Sequence, residues 1–374
     1  MSYYDIIKAD SVNNYYLFSL EEIDALKKRL TVENRKALKN DLEDLFSWPL
    51  ESVTTKTRLP PSGDPHDYVS LATYYWPDEQ SGDGLPYIRR DGFVNTGGLK
   101  QYDKDKFKRL AYLVYHGALL FLLIEEPRYS ELIERHLYNW FIDPCTRMKA
   151  HLNYGQFIPG VTEGRAEGII DYSANFAYAL NMLFLLDKKQ LLGDELHSGL
   201  VMWHKEFRSW LLSSPIGKAE VTAKNNHGTF YDLALCLIGQ FLEIEESFNI
   251  ETFVRMRIEM QIAADASLPL ETARTKSMSY SFMALKGFLE IAKLMRPKGI
   301  YLFPQLKSCV DWLYQSAIVH KVGWTYEQVA PFDAGIYVLF REMVSSAYPG
   351  EYHDIADYLD VEKIHNRVLR YLFL

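Results

Sequence analysis

Two short stretches carry residues able to manage a proton and a negative charge. In KNNHG, residues 224–228, a lysine, two asparagines and a histidine precede a glycine and an apolar run. In ARTKSMSY, residues 273–280, Arg274 stands six positions before Tyr280. Amide, imidazole and guanidinium groups donate hydrogen bonds to anions, and a helix N-terminus adds unpaired N–H groups and a partial positive charge. If a helix begins near Gly228 or Thr229, Asn226 falls near its N-cap and His227 near its first turn, which makes a seat for a carboxylate. Capping alone accounts for one Asn but not for the whole Lys-Asn-Asn-His cluster. Ser277 reads as the N-cap of a later helix, with Tyr280 three residues beyond it. Six residues is too far round a helix for Arg274 and Tyr280 to share a face, so Arg274 comes from the loop. A phenol in a first turn beside a guanidinium has two reasons to favour the phenolate, which is a base. The plain alternative is a packed tyrosine and an arginine in a surface pair.

Three further stretches are rich in polar and aromatic groups. Residues 151–171, HLNYGQFIPGVTEGRAEGIID, set Asn153, Tyr154, Gln156, Glu163 and Arg165 among glycines without any phosphate-loop spacing. Residues 64–78, DPHDYVSLATYYWPD, offer Tyr74, Tyr75 and Trp76 for stacking on sugar rings, and GLPYIRRDG at 84–92 offers Arg89 and Arg90 to carboxylates. The metalloprotease, EF-hand and serine-hydrolase patterns HExxH, DxDxDG and GxSxG are absent. Asp171, Asp232, Asp265 and Glu271 leave open a glycosidase, which needs two carboxylates flanking the bond.

The elements that must position these groups read as helices. Leu110, Leu113, Val114, Ala118 and Phe121 keep helical spacing, as do Trp203, Phe207, Trp210 and Leu211, and Leu306, Cys309, Val310, Leu313 and Ala317. Residues 172–186 and 282–295 read the same way. Residues 233–244, LALCLIGQFLEI, are apolar nearly all round and so predict a helix covered on several sides. Breaks rich in Pro or Gly fall at 125–130, 141–148, 213–220 and 295–299. The pattern predicts an all-α fold of about six or seven helical hairpins arranged around an axis, as one domain over 1–374 with a helical lead-in at 1–50. The long Pro-, Gly- and Tyr-rich segment 59–103 predicts a functional loop.

Composition narrows the partners. At 48% hydrophobic the chain can bury a large core, and its net charge of −8 argues against nucleic acid while leaving room for a polyanion in a locally basic groove. Three scattered cysteines suggest neither a disulfide framework nor a zinc site. No continuous apolar run reaches the ~20 residues of a membrane span, so no membrane insertion is expected. The expected location is periplasmic or secreted, its leader not part of this sequence; the cytoplasm stays open.

Taken together, the blocks HDYVSLATYYWPD (66–78), GLPYIRRDG (84–92), NYGQFIPG with GRAEGIID (153–171), KNNHGTFYD (224–232) and PLETARTKSMSY (269–280) resemble the alginate lyase superfamily of helical-toroid polysaccharide lyases, in its alginate and glucuronan lyase branch. The resemblance spans about residues 60–290 in order. It implies an (α/α) toroid for the helical hairpins and a catalytic quartet of Asn226, His227, Arg274 and Tyr280. Substrate contacts would come from Lys224, Asn225, Asn153, Tyr154, Gln156, Arg165, Tyr231, His66, Tyr74, Trp76, Arg89 and Arg90, along a groove or tunnel. It implies no metal and no organic cofactor, and an acidic polysaccharide as partner. The reaction would be β-elimination on a uronate polymer, with alginate or glucuronan as substrate. In this scheme Asn226 and Arg274 grip the carboxylate, Tyr280 acts as base and then acid, and His227 donates or serves as a second base. A hydrolase, or a non-catalytic sugar-binding toroid, is the alternative of another class.

Overall fold

Apolar residues at helical spacing form helices wherever a cap, Pro or Gly interrupts them, and the computed structural model, which describes residues 15–244, 250–320, 322–330 and 335–358, follows that rule closely. Among the described residues the lead-in contributes α1 (Leu20–Arg29), begun by a capping box at Ser19, and α2 (Val32–Asp41). The short α3 (Thr96–Leu99) precedes the long α4 (Lys104–Ile124) and α5 (Pro127–Phe141). Then come α6 (Ala177–Lys188), α7 (Asp194–Ser213), α8 (Pro215–Glu220), α9 (Asn226–Phe241) and α10 (Ile250–Gln261). The chain closes with α11 (Pro269–Thr272), α12 (Ser277–Met295), α13 (Phe303–Leu313) and α14 (Gly335–Ala347). The break expected across 213–220 is narrower than that: Ser214 interrupts the chain, its hydroxyl caps Gly217, and Pro215 opens α8 at once. Proline needs no N–H partner in a first helical turn, so it starts a helix as readily as it ends one.

The helices form two layers. In the inner one α4 packs on α6, α6 on α9 and α9 on α12. Every residue of α9 except His227 and Gln240 is buried, in keeping with its apolar sequence. Outside, α5 lies on α4, α7 on α5 and α9, α10 on α9, and α13 and α14 on α12, while α1 and α2 close over α4. This is an all-α toroid. Each large apolar side chain buried between the layers stabilises it by ~1.5–3 kcal/mol. By length and composition alone α4 and the segment Ala166–Lys188 are long and apolar enough to span a membrane, although polar residues interrupt both; 89% of each apolar window is covered by other parts of the protein, which makes them core helices here.

The segment expected as a long loop, 59–103, is ordered and contains three short strands. Strand β1 (Val69–Leu71) is followed by β2 (Tyr75–Trp76) and β3 (Ile88–Arg89), and β4 (Tyr154–Phe157) comes from the second glycine-rich stretch. β1 pairs in parallel with β4, and β2 antiparallel with β3 in the register Tyr75↔Arg89 and Trp76↔Ile88. Ion pairs pin this layer to the start of α4. Lys56 meets Asp103 at 3.2 Å, and Asp103 accepts the Val69 N–H at 3.0 Å. Lys104 meets Asp171 at 2.7 Å, and Asp171 also accepts from Ser70, Tyr68 and Gln156. Burial pushes the Asp103 carboxyl up to about 7, against the pull of Lys56. The glycines of 151–171 serve backbone packing: a Cβ on Gly168 would come within 2.5 Å of the Gly155 carbonyl carbon. That close approach brings Gln156 and Arg165 side by side.

Candidate active site

The strand layer and the ends of α4, α9 and α12 enclose a cleft of about 520 Å³, within the usual range for a small-molecule site. All four residues singled out for chemistry, Asn226, His227, Arg274 and Tyr280, line it. Tyr74, Arg89, Gln156, Arg165 and Asn225 line it too. Its walls carry six cations, Arg89, Lys104, Lys108, Arg165, Arg274 and Lys276, against the three carboxylates Asp105, Glu167 and Asp171. A chain of net charge −8 thus presents a basic pocket, and low-dielectric walls focus such a field on an incoming anion.

The Asn-His pair opens α9, which begins at Asn226, earlier than the Gly228 or Thr229 start expected from the sequence. Asn225, not Asn226, is the N-cap, and its side-chain oxygen accepts the His227 N–H at 3.2 Å. Asn226 is the first helical residue, and it is spoken for from below: Glu271 on α11 accepts its backbone N–H and its side-chain Nδ2 at 2.7 Å each. Burial pushes the Glu271 carboxyl up, and the two Asn226 bonds oppose that only in part. The carboxylate does the work of a helix cap from another element and fixes which way the amide faces. His227 is held by Glu220 through Nδ1 at 2.9 Å.

Gly228 explains why this turn is so tight. A Cβ there would lie 1.8 Å from Arg257 Nη1 and 2.3 Å from the Ala223 carbonyl oxygen. Arg257, buried and paired with Asp232, runs beneath the glycine to reach the carbonyls of Ala223 and Val221. Gly228→Ala is therefore expected to destabilise the fold by about 2–3 kcal/mol, an overpacking cost. Urea unfolding followed by circular dichroism measures it, and a midpoint equal to that of the parent would show the packing argument to be mistaken.

The Arg-Tyr pair is assembled from three places. Tyr280 is in the first turn of α12 and Arg274 in the preceding bend, off the helix as expected. Ser277 is the first residue of that helix and not its cap, because its hydroxyl donates to the Glu327 carbonyl oxygen and accepts from Trp324. Arg274 Nη2 lies 3.0 Å from the Tyr280 hydroxyl, and its guanidinium carbon sits 4.0 Å over the ring. The Tyr74 hydroxyl reaches the same phenol oxygen at 2.8 Å. Asp91, in the turn two residues past β3, holds Arg274 through two bonds of 3.1 and 2.8 Å and is shared with Arg89 and Thr275. Partial burial would raise the Asp91 carboxyl, but the hydrogen bonds and charge of Arg274, with those of Arg89, hold it well below the usual carboxylate range. Burial likewise disfavours the Arg274 cation, and Asp91 more than restores it, so the guanidinium stays charged.

Other residues singled out by sequence are placed off the cleft wall, most of them with the polar group engaged elsewhere. Tyr231 is buried with its hydroxyl on the Leu211 carbonyl oxygen, and Trp76 gives its indole N–H to Phe93. Arg90 pairs with Glu79, Asn153 accepts from Trp210, and His66 meets the Arg147 carbonyl through Nδ1. Tyr154 packs on the small cluster around Val69 and Leu71, and Lys224 is exposed. Conversely Tyr75, Lys104, Lys108, Asp171 and Lys276 reach the lining, and Glu220, Glu271 and Asp91 stand directly behind it. The Arg165 guanidinium lies 5.5 Å over the Tyr75 ring. Of these, Tyr75, Asp171 and Glu271 were already named from the sequence, and Asp91 was within its reach, since it stands next to last in the GLPYIRRDG block.

A sequence model of the family described as alginate lyase matches residues 52–323, a span that contains all four central residues. No curated protein sequence matches the chain. Among solved structures the chain is similar to an alginate lyase from Bacteroides ovatus, with 26% identity over 96% of this chain and 99% of that one and a TM-score of 0.86. It shares its fold with alginate lyase A1-III from Sphingomonas species A1, at 13% identity, covering 93% of this chain and 98% of that one, with a TM-score of 0.54. A variant of alginate lyase A1-III complexed with a tetrasaccharide gives 14% identity over 97% and 95% of the two chains and a TM-score of 0.54.

Proposed function

The chain belongs to the alginate lyase family and is a polysaccharide lyase; from that premise we propose that it cleaves a β-1,4-linked uronate polymer, mannuronate-rich alginate before others, by syn β-elimination. The observation that carries this reading is the Tyr280 hydroxyl, 3.0 Å from the Arg274 guanidinium in a basic cleft that also holds Asn226 and His227.

The C5 hydrogen of a uronate is a poor acid while the adjacent carboxylate is charged. Donors around that carboxylate stabilise the enolate-like dianion that forms as the proton leaves. Asn226 and Arg274 suit this task, one oriented by Glu271 and the other by Asp91. Arg274 also places its positive charge where the Tyr280 oxygen becomes negative. In β-D-mannuronate and β-D-glucuronate the C5 hydrogen and the C4 oxygen share a ring face. Tyr280 can take the C5 proton as phenolate, the C5–H electron pair becomes the C4=C5 double bond, and the C4–O bond breaks. The departing O4 then recovers the proton from the phenol. The products are a new non-reducing 4,5-unsaturated uronate and a shortened chain.

The geometry gives little support to hydrolysis. Of the four carboxylates that could have formed a flanking pair, only Asp171 reaches the cleft, and it is tied to Lys104, Ser70, Tyr68 and Gln156. Asp232 is paired with Arg257, Asp265 with Ser267, and Glu271 with Asn226. A polymeric substrate fits a periplasmic or secreted enzyme.

The test is incubation with purified polymannuronate, polyguluronate and glucuronan, following ultraviolet absorbance of the conjugated double bond. We expect absorbance to rise first on polymannuronate. A faster rise on glucuronan, which differs only at C2, would move the substrate assignment. A flat trace on all three, with folded protein and reducing ends appearing, would replace elimination by hydrolysis.

A further inference from the structure

His227 is backed by a carboxylate that the reaction scheme does not use. Its Nδ1 lies 2.9 Å from Oε1 of Glu220, the last residue of α8. The Glu220 side chain is 2% exposed, and among the described residues no other side chain is bonded to it. Burying a carboxylate is costly unless it is paired, so a buried Glu with a single imidazole partner calls for a role. An ionised carboxylate only accepts hydrogen bonds. Against an ionised Glu220 the imidazole nitrogen facing it carries the proton, and the bond made by one ring nitrogen decides what the other can do.

The surroundings make this contact rigid. The turn from Val221 to Asn225, which hangs Glu220 beside His227, is clamped from α10. Arg257 gives Nη1 to the Ala223 carbonyl at 2.6 Å and Nη2 to the Val221 carbonyl at 3.1 Å. Gln261 gives Nε2 to the Asn225 carbonyl at 2.8 Å. The Asn225 side chain then fixes the His227 backbone. Both ends of the Glu220–His227 pair are thus anchored to buried elements, while the imidazole itself lines the cleft.

We propose that Glu220 is a positioning residue of the active site: it holds His227 with the proton on Nδ1 and Nε2 turned to the cleft, so that His227 meets the sugar as a hydrogen-bond or proton acceptor and the carboxylate grip is left to Asn226 and Arg274. The ligand named here rests on the polyuronate lyase reading; the state of the imidazole in the free protein does not.

Nitrogen-15 spectra of the histidine rings in the full, ligand-free chain read the tautomer directly, with His227→Gln identifying the resonance among the 10 histidines. The expected result is an Nδ1–H ring for His227, and a ring protonated on Nε2 alone overturns the proposal. In Glu220→Gln the amide can accept or donate, so a mixture of tautomers is expected. Its kcat on the polymer cleaved by the parent is expected to fall by ~10–100-fold, as when a carboxylate behind a functional imidazole is removed, with KM little changed. Glu220→Asp, which keeps the charge, is expected to recover part of that loss. A folded Glu220→Gln protein with unchanged kcat overturns the proposal. If that variant does not fold, the spectrum of the parent decides alone. Absence of cleavage on every uronan would remove the lyase reading and leave the tautomer result standing.

Discussion

Tyr280→Phe is expected to lower kcat on mannuronate-rich alginate by ~10²–10⁴-fold, the usual contribution of a positioned acid or base, with KM within a few-fold of the parent. The reason is local. The substitution removes one oxygen, the atom that Arg274 and Tyr74 both approach, at 3.0 and 2.8 Å. The ring stays, and with it the stacking of Arg274 over its face at 4.0 Å. The first turn of α12 is held by backbone bonds to the segment around Glu327, not by the phenol, so the fold has no reason to change. Loss of kcat with KM kept marks an interaction made only in the transition state. Steady-state kinetics by ultraviolet absorbance, with tetrasaccharide binding by calorimetry, would decide the matter. A variant retaining a tenth or more of the parent kcat would mean that Tyr280 is not the proton carrier.

Arg274→Lys is expected to cost ~10²–10³-fold in kcat, the effect of deleting one preorganised donor from a charge-stabilising site. Arginine presents a planar fork, and here one edge is used by Asp91 while Nη2 also reaches the phenol oxygen. A lysine ammonium is a single point of charge on a different stem and cannot serve Asp91 and Tyr280 with the same geometry. Arg274→Ala is expected to lose more, because it also leaves the partly buried Asp91 without its main partner. The stability penalty should be about 1–3 kcal/mol, in line with hydrogen bonds to charged groups. Pairing Arg274→Ala with Asp91→Asn is expected to recover much of the stability and none of the turnover. If the double variant regained activity, Arg274 would be a structural residue and the carboxylate grip would lie elsewhere.

Much of the site was legible in the sequence, for reasons that differ from residue to residue. Asn226 and His227 could be found because chemistry-bearing side chains were crowded before an apolar helix, a strictly local signal. Arg274 and Tyr280 could be placed on a loop and a helix because helical geometry forbids residues six apart from sharing a face. Cap assignment failed twice. At Asn225 and Asn226 two adjacent residues have the same capping chemistry, and only the backbone angles, extended at Asn225, separate them. At Ser277 the hydroxyl that would have capped α12 is taken by Glu327 and Trp324, about 50 residues away in the chain. Trp76 and Tyr231 had the right chemistry for sugar contact, but their polar atoms are consumed by nearby backbone carbonyls.

What the sequence by itself determined is the layout that depends on neighbours in the chain: which segments are helical, where Pro and Gly interrupt them, which helices are apolar on all sides, and which side chains can donate to an anion or carry a proton. What only the tertiary structure decided is how those side chains are backed and aimed. Asp91 reaches Arg274 across 183 residues, Glu271 reaches Asn226 across 45, and Tyr74 reaches Tyr280 across 206. The physical reason is range. Helical periodicity and capping act over one or two turns, so they are written in spacing. A buried carboxylate finds its partner only after the layers close, because removal from water is what makes the pairing obligatory.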